Sequence, residues 1–304
     1  MVRRCALAAV ACVLGTVGIG WLPARADQPA SGPLLGPRVV WRELRYTARK
    51  LGISAAVDVR LDEGAVPERD AGAGSTAPAG ELVLESTTHL PGRVFVARER
   101  IDPRDAGARR IVDIETGAKQ HRKTYTLMPH GLLLDTLQPA SAAESRLAPE
   151  RWTRETRSFT PYPRGLAAGA VITGPIGLLY AASAAPLQSP GDALTVLVLV
   201  QTHVERVTLQ VDRVETVALD FQERSGSAVR DVHRQSRALR LVARSRPVDP
   251  SSASAFHIFG LGGDVELVWD PVRRLPVEIS GNVRVLGRVH VRLAAVTLRP
   301  GGDS

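Results

Sequence analysis

The sequence predicts an all-β chain, mainly antiparallel, folded as a barrel or strongly curved sheet with one short helix packed on it or plugging it. Three observations carry this. Short runs of alternating apolar and polar residues recur along the chain, separated by Gly, Pro and Asp turn signals, which is the pattern of half-buried strands. Residues 194–200 are apolar on both faces, as a central strand requires. Good helical spacing is confined to one uncharged segment, 165–191.

At the N-terminus, Arg3 and Arg4 precede an uncharged apolar run over 5–22, and Ala24-Arg25-Ala26 ends in a small-x-small pattern. This is the layout of a secretory signal peptide over 1–26, with cleavage expected after Ala26 and export to the periplasm or medium. An uncleaved anchor needs about 20 apolar residues, and this run contains Gly15, Gly18 and Gly20. Lipid attachment at Cys12, behind Ala9, Val10 and Ala11, is the other alternative, but the apolar run continues well past it. Cleavage would remove Cys5 and Cys12, the only cysteines, so the exported protein would hold together by its core without disulfides. Thiol chemistry and cysteine-ligated zinc are thereby excluded. Cleavage would also take three of the 39 Lys+Arg and none of the 31 Asp+Glu, lowering the net charge from +8 to +5. A solvated surface of mixed charge is the simple reading of that balance, and affinity for anionic envelope lipids or glycans the functional one. Export and an aromatic content of 4% argue against nucleic acid.

Residues 27–38 read as a flexible leader. Strands follow over 39–48 and 53–61, joined through Lys50-Leu51-Gly52. Residues 63–80, rich in Ala, Gly and Pro, read as a disordered insertion. Pro91-Gly92 separates strands over 81–88 and 93–101, a hairpin signal. Further strands fit 110–114, 119–127 and 131–136. In the uncharged segment, Ile176, Leu179 and Tyr180 sit at helical spacing behind Pro175, a good first helical residue. These three are the candidate cavity-lining or plug residues. A membrane span fits the segment by length alone, but its glycines and prolines make a poor one. Residues 207–211 and 217–221 alternate as strands do. Near the end, Val283, Val285, Val289, Val291 and Leu293 fall in phase with Gly287, which predicts one long strand of about ten residues. The whole reads as a single β-barrel-like domain over 39–298.

Motifs of catalysis are missing from the chain. Neither Gly-x-Ser-x-Gly nor His-Glu-x-x-His occurs, and the seven histidines are scattered. Gly260-Leu261-Gly262-Gly263 lacks the following helix that a phosphate site needs, and reads as a tight hairpin. Gln120-His121-Arg122-Lys123, beside Tyr125, reads as an outward charged face, with an anion grip as its functional alternative. No cofactor or metal is implied.

Two stretches, Trp41-Arg42-Glu43-Leu44-Arg45-Tyr46 followed by Leu51-Gly52-Ile53, and Trp269-Asp270-Pro271-Val272-Arg273-Arg274-Leu275-Pro276-Val277, resemble an exported bacterial family, number 3108 among the domains of unknown function. Trp269, Arg274, Leu275 and Pro276 form the more specific signature. Gly177-Leu178-Leu179-Tyr180, with Pro186-Leu187 and Gly191, is similar to the family's one helix and its exit. The family's helix opens with Asp and carries Ser and Arg, where this chain has Gly174 and Gly177 and no following arginine. The resemblance implies a β-barrel-like exported protein with no established activity. Three readings of function follow: non-enzymatic binding of a hydrophobic or amphiphilic envelope molecule such as a lipid or glycolipid; an envelope structural or assembly factor working through protein contacts; and a hydrolase without a recognisable motif.

Overall fold

Antiparallel strands follow one another through the first half of the chain, and two-residue turns at Leu51-Gly52, Pro91-Gly92 and Pro129-His130 fold three of the hairpins tightly. The computed structural model describes residues 39–63, 80–117, 119–254 and 256–299. The expected signal peptide, the leader and residues 64–79 of the insertion lie outside them. β1 (Trp41–Lys50), β2 (Ile53–Glu63), β3 (Leu82–Leu90), β4 (Arg93–Ile101), β5 (Ala108–Thr116), β6 (His121–Met128), β7 (Gly131–Gln138) and β8 (Arg154–Pro161) form an antiparallel meander in chain order. After two 3-10 turns, Glu144–Arg146 and Pro149–Arg151, and β8, come β9 (Ile172–Thr173), α1 (Pro175–Ala184), β10 (Ala193–Val200), β11 (His203–Ser225) and β12 (Ala228–Pro247). β13 (His257–Ile258), β14 (Leu261–Asp270), β15 (Leu275–Val283) and β16 (Gly287–Leu298) complete the described chain.

One continuous sheet results, in the order β8-β7-β6-β5-β4-β3-β2-β1-β16-β15-β14-β12-β11-β10-β9, with β13 hydrogen-bonded to β14. Its curvature is closed by β11. This strand has 23 residues, about 75 Å of extended chain, so it runs past β10 and reaches the far side. There Gln222, Glu223, Arg224 and Ser225 pair in parallel with Ala295, Val296, Thr297 and Leu298 of β16. Strands β16, β15, β14, β12 and β11 therefore make a hydrogen-bonded ring, and β1 to β8 extend it as a curved arm.

The pleat puts Leu44, Tyr46, Val57, Val59, Leu61 and Leu84 on the concave side, all buried. α1 lies against β3 and β4 of the arm, and against β9, β10 and β13. Every residue from Ile176 to Ala184 is buried. A helix apolar on all sides is stable only when enclosed like this, and burying Ile176, Leu178 and Leu179 contributes about 1.5–3 kcal/mol each. Among the described residues no helix is long and apolar enough to cross a membrane.

Two sequence expectations are corrected here. The alternation over 283–293 is not one strand. β15 ends at Val283 and β16 begins at Gly287, with the turn between them. The period survives because the turn adds three residues plus a left-handed Gly287, which keeps the parity of the apolar positions, yet Val285 itself points away from the core. The basic cluster at 120–123 is not a solvated outward face. Gln120 donates to the Ser145 carbonyl at 2.9 Å, Arg122 is buried, and His121 and Lys123 are half-buried. The register sets Lys123 opposite Asp113 and Tyr125 opposite Ile111, so odd positions of β6 share the concave face. The glycine-rich segment is the tight hairpin expected of it, joining β13 to β14.

Candidate functional site

The helix that the sequence marked out is held at both ends by charges from other elements. At its N-terminus Gly174 offers no capping side chain. Glu99 of β4 takes that role, with its carboxylate accepting from the backbone N–H of Ile176 at 2.8 Å and of Gly177 at 2.7 Å. At the C-terminus Arg274 donates to the carbonyl of Ser183 at 2.7 Å and to that of Ala185. The Arg274 cation at the negative end complements the helix dipole, as Glu99 does at the positive end when ionised. Trp41 adds an indole N–H to Ser183 Oγ at 3.0 Å. Burial pushes the Glu99 carboxyl up to about 7 against the lowering effect of the backbone donors.

Room for Glu99 is made by glycine. A Cβ on Gly174 would stand 2.3 Å from the Glu99 carboxyl carbon, and one on Gly177 would stand 2.0 Å from Thr173 Oγ1. Gly174 has an ordinary extended backbone, so the constraint is steric. Gly174→Ala is expected to destabilise the protein by about 1–3 kcal/mol through overpacking, read as a lower urea midpoint, although alanine at an exposed extended position is harmless.

The residues singled out from the sequence thus converge, as core and clamp. Ile176 and Leu179 pack in the core, and Tyr180 is buried with its hydroxyl donating to the Pro103 carbonyl at 3.2 Å. Trp269 and Leu275 are buried, and the Pro276 carbonyl accepts from Tyr46 at 2.9 Å. Glu99 was missed. The available signal was its phase with Phe95, Ala97 and Ile101 on the concave face, an acid at an apolar position. Asp113 on the same face is pushed up to about 6 by desolvation, against the pull of Lys123 and His257.

Beside the Arg274 clamp sits an ion cluster at the ring closure. Arg273 reaches Glu223 at 2.5 Å and Asp270 at 2.9 Å. Its guanidinium carbon lies 5.5 Å from the centre of the Phe221 ring. Asp270 also accepts from the backbone N–H groups of Val272 and Arg273, and Arg230 holds the other Glu223 oxygen.

A groove of about 1110 Å³ opens at the hairpin end of the sheet. Arg49, Lys50, His89, Arg288, His290 and Arg292 line it together with Ala48, Ala55, Ala56, Leu90 and Pro91. Two acids serve this group: Glu278 holds His290 and Arg292, each within 2.9 Å, and Glu266 is shared by Arg288 and Arg240. Burial pushes the Glu278 carboxyl up, but its bonds to His290 and Arg292 outweigh this and hold it below 4.5. Arg49 and His89 have no side-chain partner among the described residues. A second pocket, about 120 Å³, lies at the β11 tip; four of its five charged side chains pair with one another, Arg45 with Asp58 and Arg60 with Glu43, and Arg224 is the fifth. Among the described residues no three His, Cys, Asp or Glu side chains are grouped to hold a metal ion.

Fold and site together define a mainly antiparallel β-barrel, ring-closed by one parallel pairing, with an enclosed, clamped helix and a basic groove at one end. No protein-family model matches the chain, and no curated protein matches it. Among solved structures the chain is similar to the crystal structure of a beta-barrel-like protein of domain of unknown function DUF1849 from Brucella abortus, at 12% identity. That similarity covers 86% of this chain and 99% of that one, with a TM-score of 0.46.

Proposed function

We propose that this is an exported, non-enzymatic binding protein whose basic groove takes the anionic head of an envelope amphiphile, a lipid or glycolipid. The observation that carries the reading is the groove lining: four arginine and lysine side chains with two histidines, served by two carboxylates, beside alanine, leucine and proline. Guanidinium groups recognise phosphate and carboxylate by paired charge-assisted donors. The apolar part of the lining suits the start of an acyl chain. The signal-peptide pattern over 1–26 supports export, and the segments 41–46, 51–53 and 269–277 support kinship with family 3108.

Arg49 and His89 are exposed and unpaired among the described residues, so changing them spares the fold. Arg49→Glu with His89→Glu is expected to weaken binding of a soluble short-chain phosphatidylglycerol by roughly tenfold or more, measured by titration calorimetry. Equal affinity in the wild type and the variant would end this reading.

A second reading, an envelope assembly factor, draws on β8. It is the terminal strand of the arm, and six of its eight residues in sequence, Arg154 to Phe159, are exposed. A bare strand edge is a template for strand addition. In-cell crosslinking from Arg157→Cys that traps no protein would count against it.

A further inference from the structure

Around the groove the hairpin tips carry exposed apolar residues in an unfavourable backbone. Leu51, in the β1–β2 turn, is 80% exposed, and Val285, in the β15–β16 turn, is 95% exposed. Both have left-handed backbones, φ 51° for Leu51 and 84° for Val285. That region is costly for any side chain and worst for a β-branched one. A tip that served only to turn the chain would carry glycine or asparagine there. Nothing in the fold repays the choice, because these side chains bury little against their own protein.

The two tips are neighbours. β1 and β16 pair directly, and Lys50 donates to the Arg288 carbonyl, tying the end of one hairpin to the start of the other. Ile53, exposed, follows Leu51. Cations flank both tips: Arg49 and Lys50 before Leu51, and Arg284 and Arg288 on either side of Val285. Neither Arg49 nor Arg284 has a carboxylate partner among the described residues. Apolar residues at the extremity with unpaired cations immediately behind them match the depth profile of a bilayer surface, where acyl chains lie beneath anionic headgroups. A protein partner would call for a flat or concave apolar patch, whereas these are isolated projections.

We propose that this rim docks the protein on an anionic bilayer, with Leu51 and Val285 entering the acyl boundary and Arg49, Lys50 and Arg284 meeting the headgroups. The choice of an anionic surface rests on the headgroup reading of the groove, which docking would hold at the membrane plane where its ligand resides.

Glycine at the two tips separates docking from folding, since Leu51→Gly with Val285→Gly suits the left-handed backbone and removes only exposed side chains. Sedimentation with phosphatidylcholine vesicles, with and without phosphatidylglycerol, reads the docking, and calorimetry with monomeric short-chain phosphatidylglycerol reads the groove. The wild type is expected to prefer the anionic vesicles, less so in high salt. The double glycine variant should lose about tenfold or more in vesicle affinity, while keeping its thermal midpoint and its affinity for the monomeric lipid. Vesicle binding unchanged by the glycines, or equal on neutral and anionic vesicles, overturns the docking proposal. Loss of monomeric-lipid binding alone, with tip-dependent vesicle binding intact, overturns the groove reading and leaves docking standing.

Discussion

Arg273→Ala is expected to cost about 3 kcal/mol of stability, near the lower end of what breaking a buried ion pair costs. Its two carboxylate partners, Glu223 at 2% exposure and Asp270 at 1%, stay behind in the interior. The loss falls short of the full penalty because Glu223 retains Arg230 and Asp270 retains two backbone donors. The location matters as much as the energy. Glu223 belongs to the four residues of β11 that pair with β16, and Arg273 belongs to the turn between β14 and β15. The pair therefore ties the two halves of the ring where hydrogen bonding is sparsest. Replacing Arg273 and Glu223 together by methionine and leucine is expected to recover part of the loss, since this removes one of the two stranded charges and leaves Asp270 with its backbone donors. Urea unfolding of the single and double variants decides this. An Arg273→Ala midpoint equal to wild type would show that the cluster does not hold the closure.

How much of this the sequence disclosed depends on range. The turns at Leu51-Gly52 and Pro91-Gly92 and the alternation between them mark β1 to β4 directly, because hairpin register is set by adjacent residues. Pro175 and the spacing of Ile176, Leu179 and Tyr180 likewise mark α1. The ring closure left no such mark. It joins residues 222–225 to 295–298, and nothing in either segment names its distant partner. Arg274, Leu275 and Pro276 stood out as a signature, but their work, gripping the end of α1 and receiving Tyr46, is visible only once α1 lies beside them. Glu99 was legible by parity as an acid on an apolar face, whereas the helix terminus it serves lies 77 residues downstream. Val285 misled because a three-residue turn imitated the strand period, and it became informative once its exposure and backbone were known.

Glu99 is expected to give the protein an unusual pH dependence, losing stability as the pH rises toward neutrality. Two opposing effects act on its carboxylate. The N-terminus of α1 favours the charged form through two backbone donors and the dipole, and full burial disfavours it. Burial wins, leaving the group at about 7 in the folded protein against an ordinary 4.5. Between these values the native state holds a proton that the unfolded chain releases, so this contribution is full below about pH 4.5, falls as the pH rises from there, and is lost once the pH has passed 7. A shift of this size amounts to about 3 kcal/mol. Asp113, raised to about 6, adds in the same direction. Glu223 and Glu278 act oppositely: bonds to basic partners hold both below 4.5, so their contribution is lost as the pH falls through those lowered values. Stability should therefore peak near pH 5. Glu99→Gln isolates the cause. Its amide accepts one helix N–H and turns a donor toward the other, so it should be weaker than wild type at pH 5 by about 1–2 kcal/mol. Having no proton to release, it should lose less between pH 5 and 7.5, and the gap between the two proteins should narrow or reverse. Urea midpoints of both proteins across that interval give the answer: parallel slopes would mean that Glu99 is not the titrating group, and that the helix dipole has offset its desolvation after all.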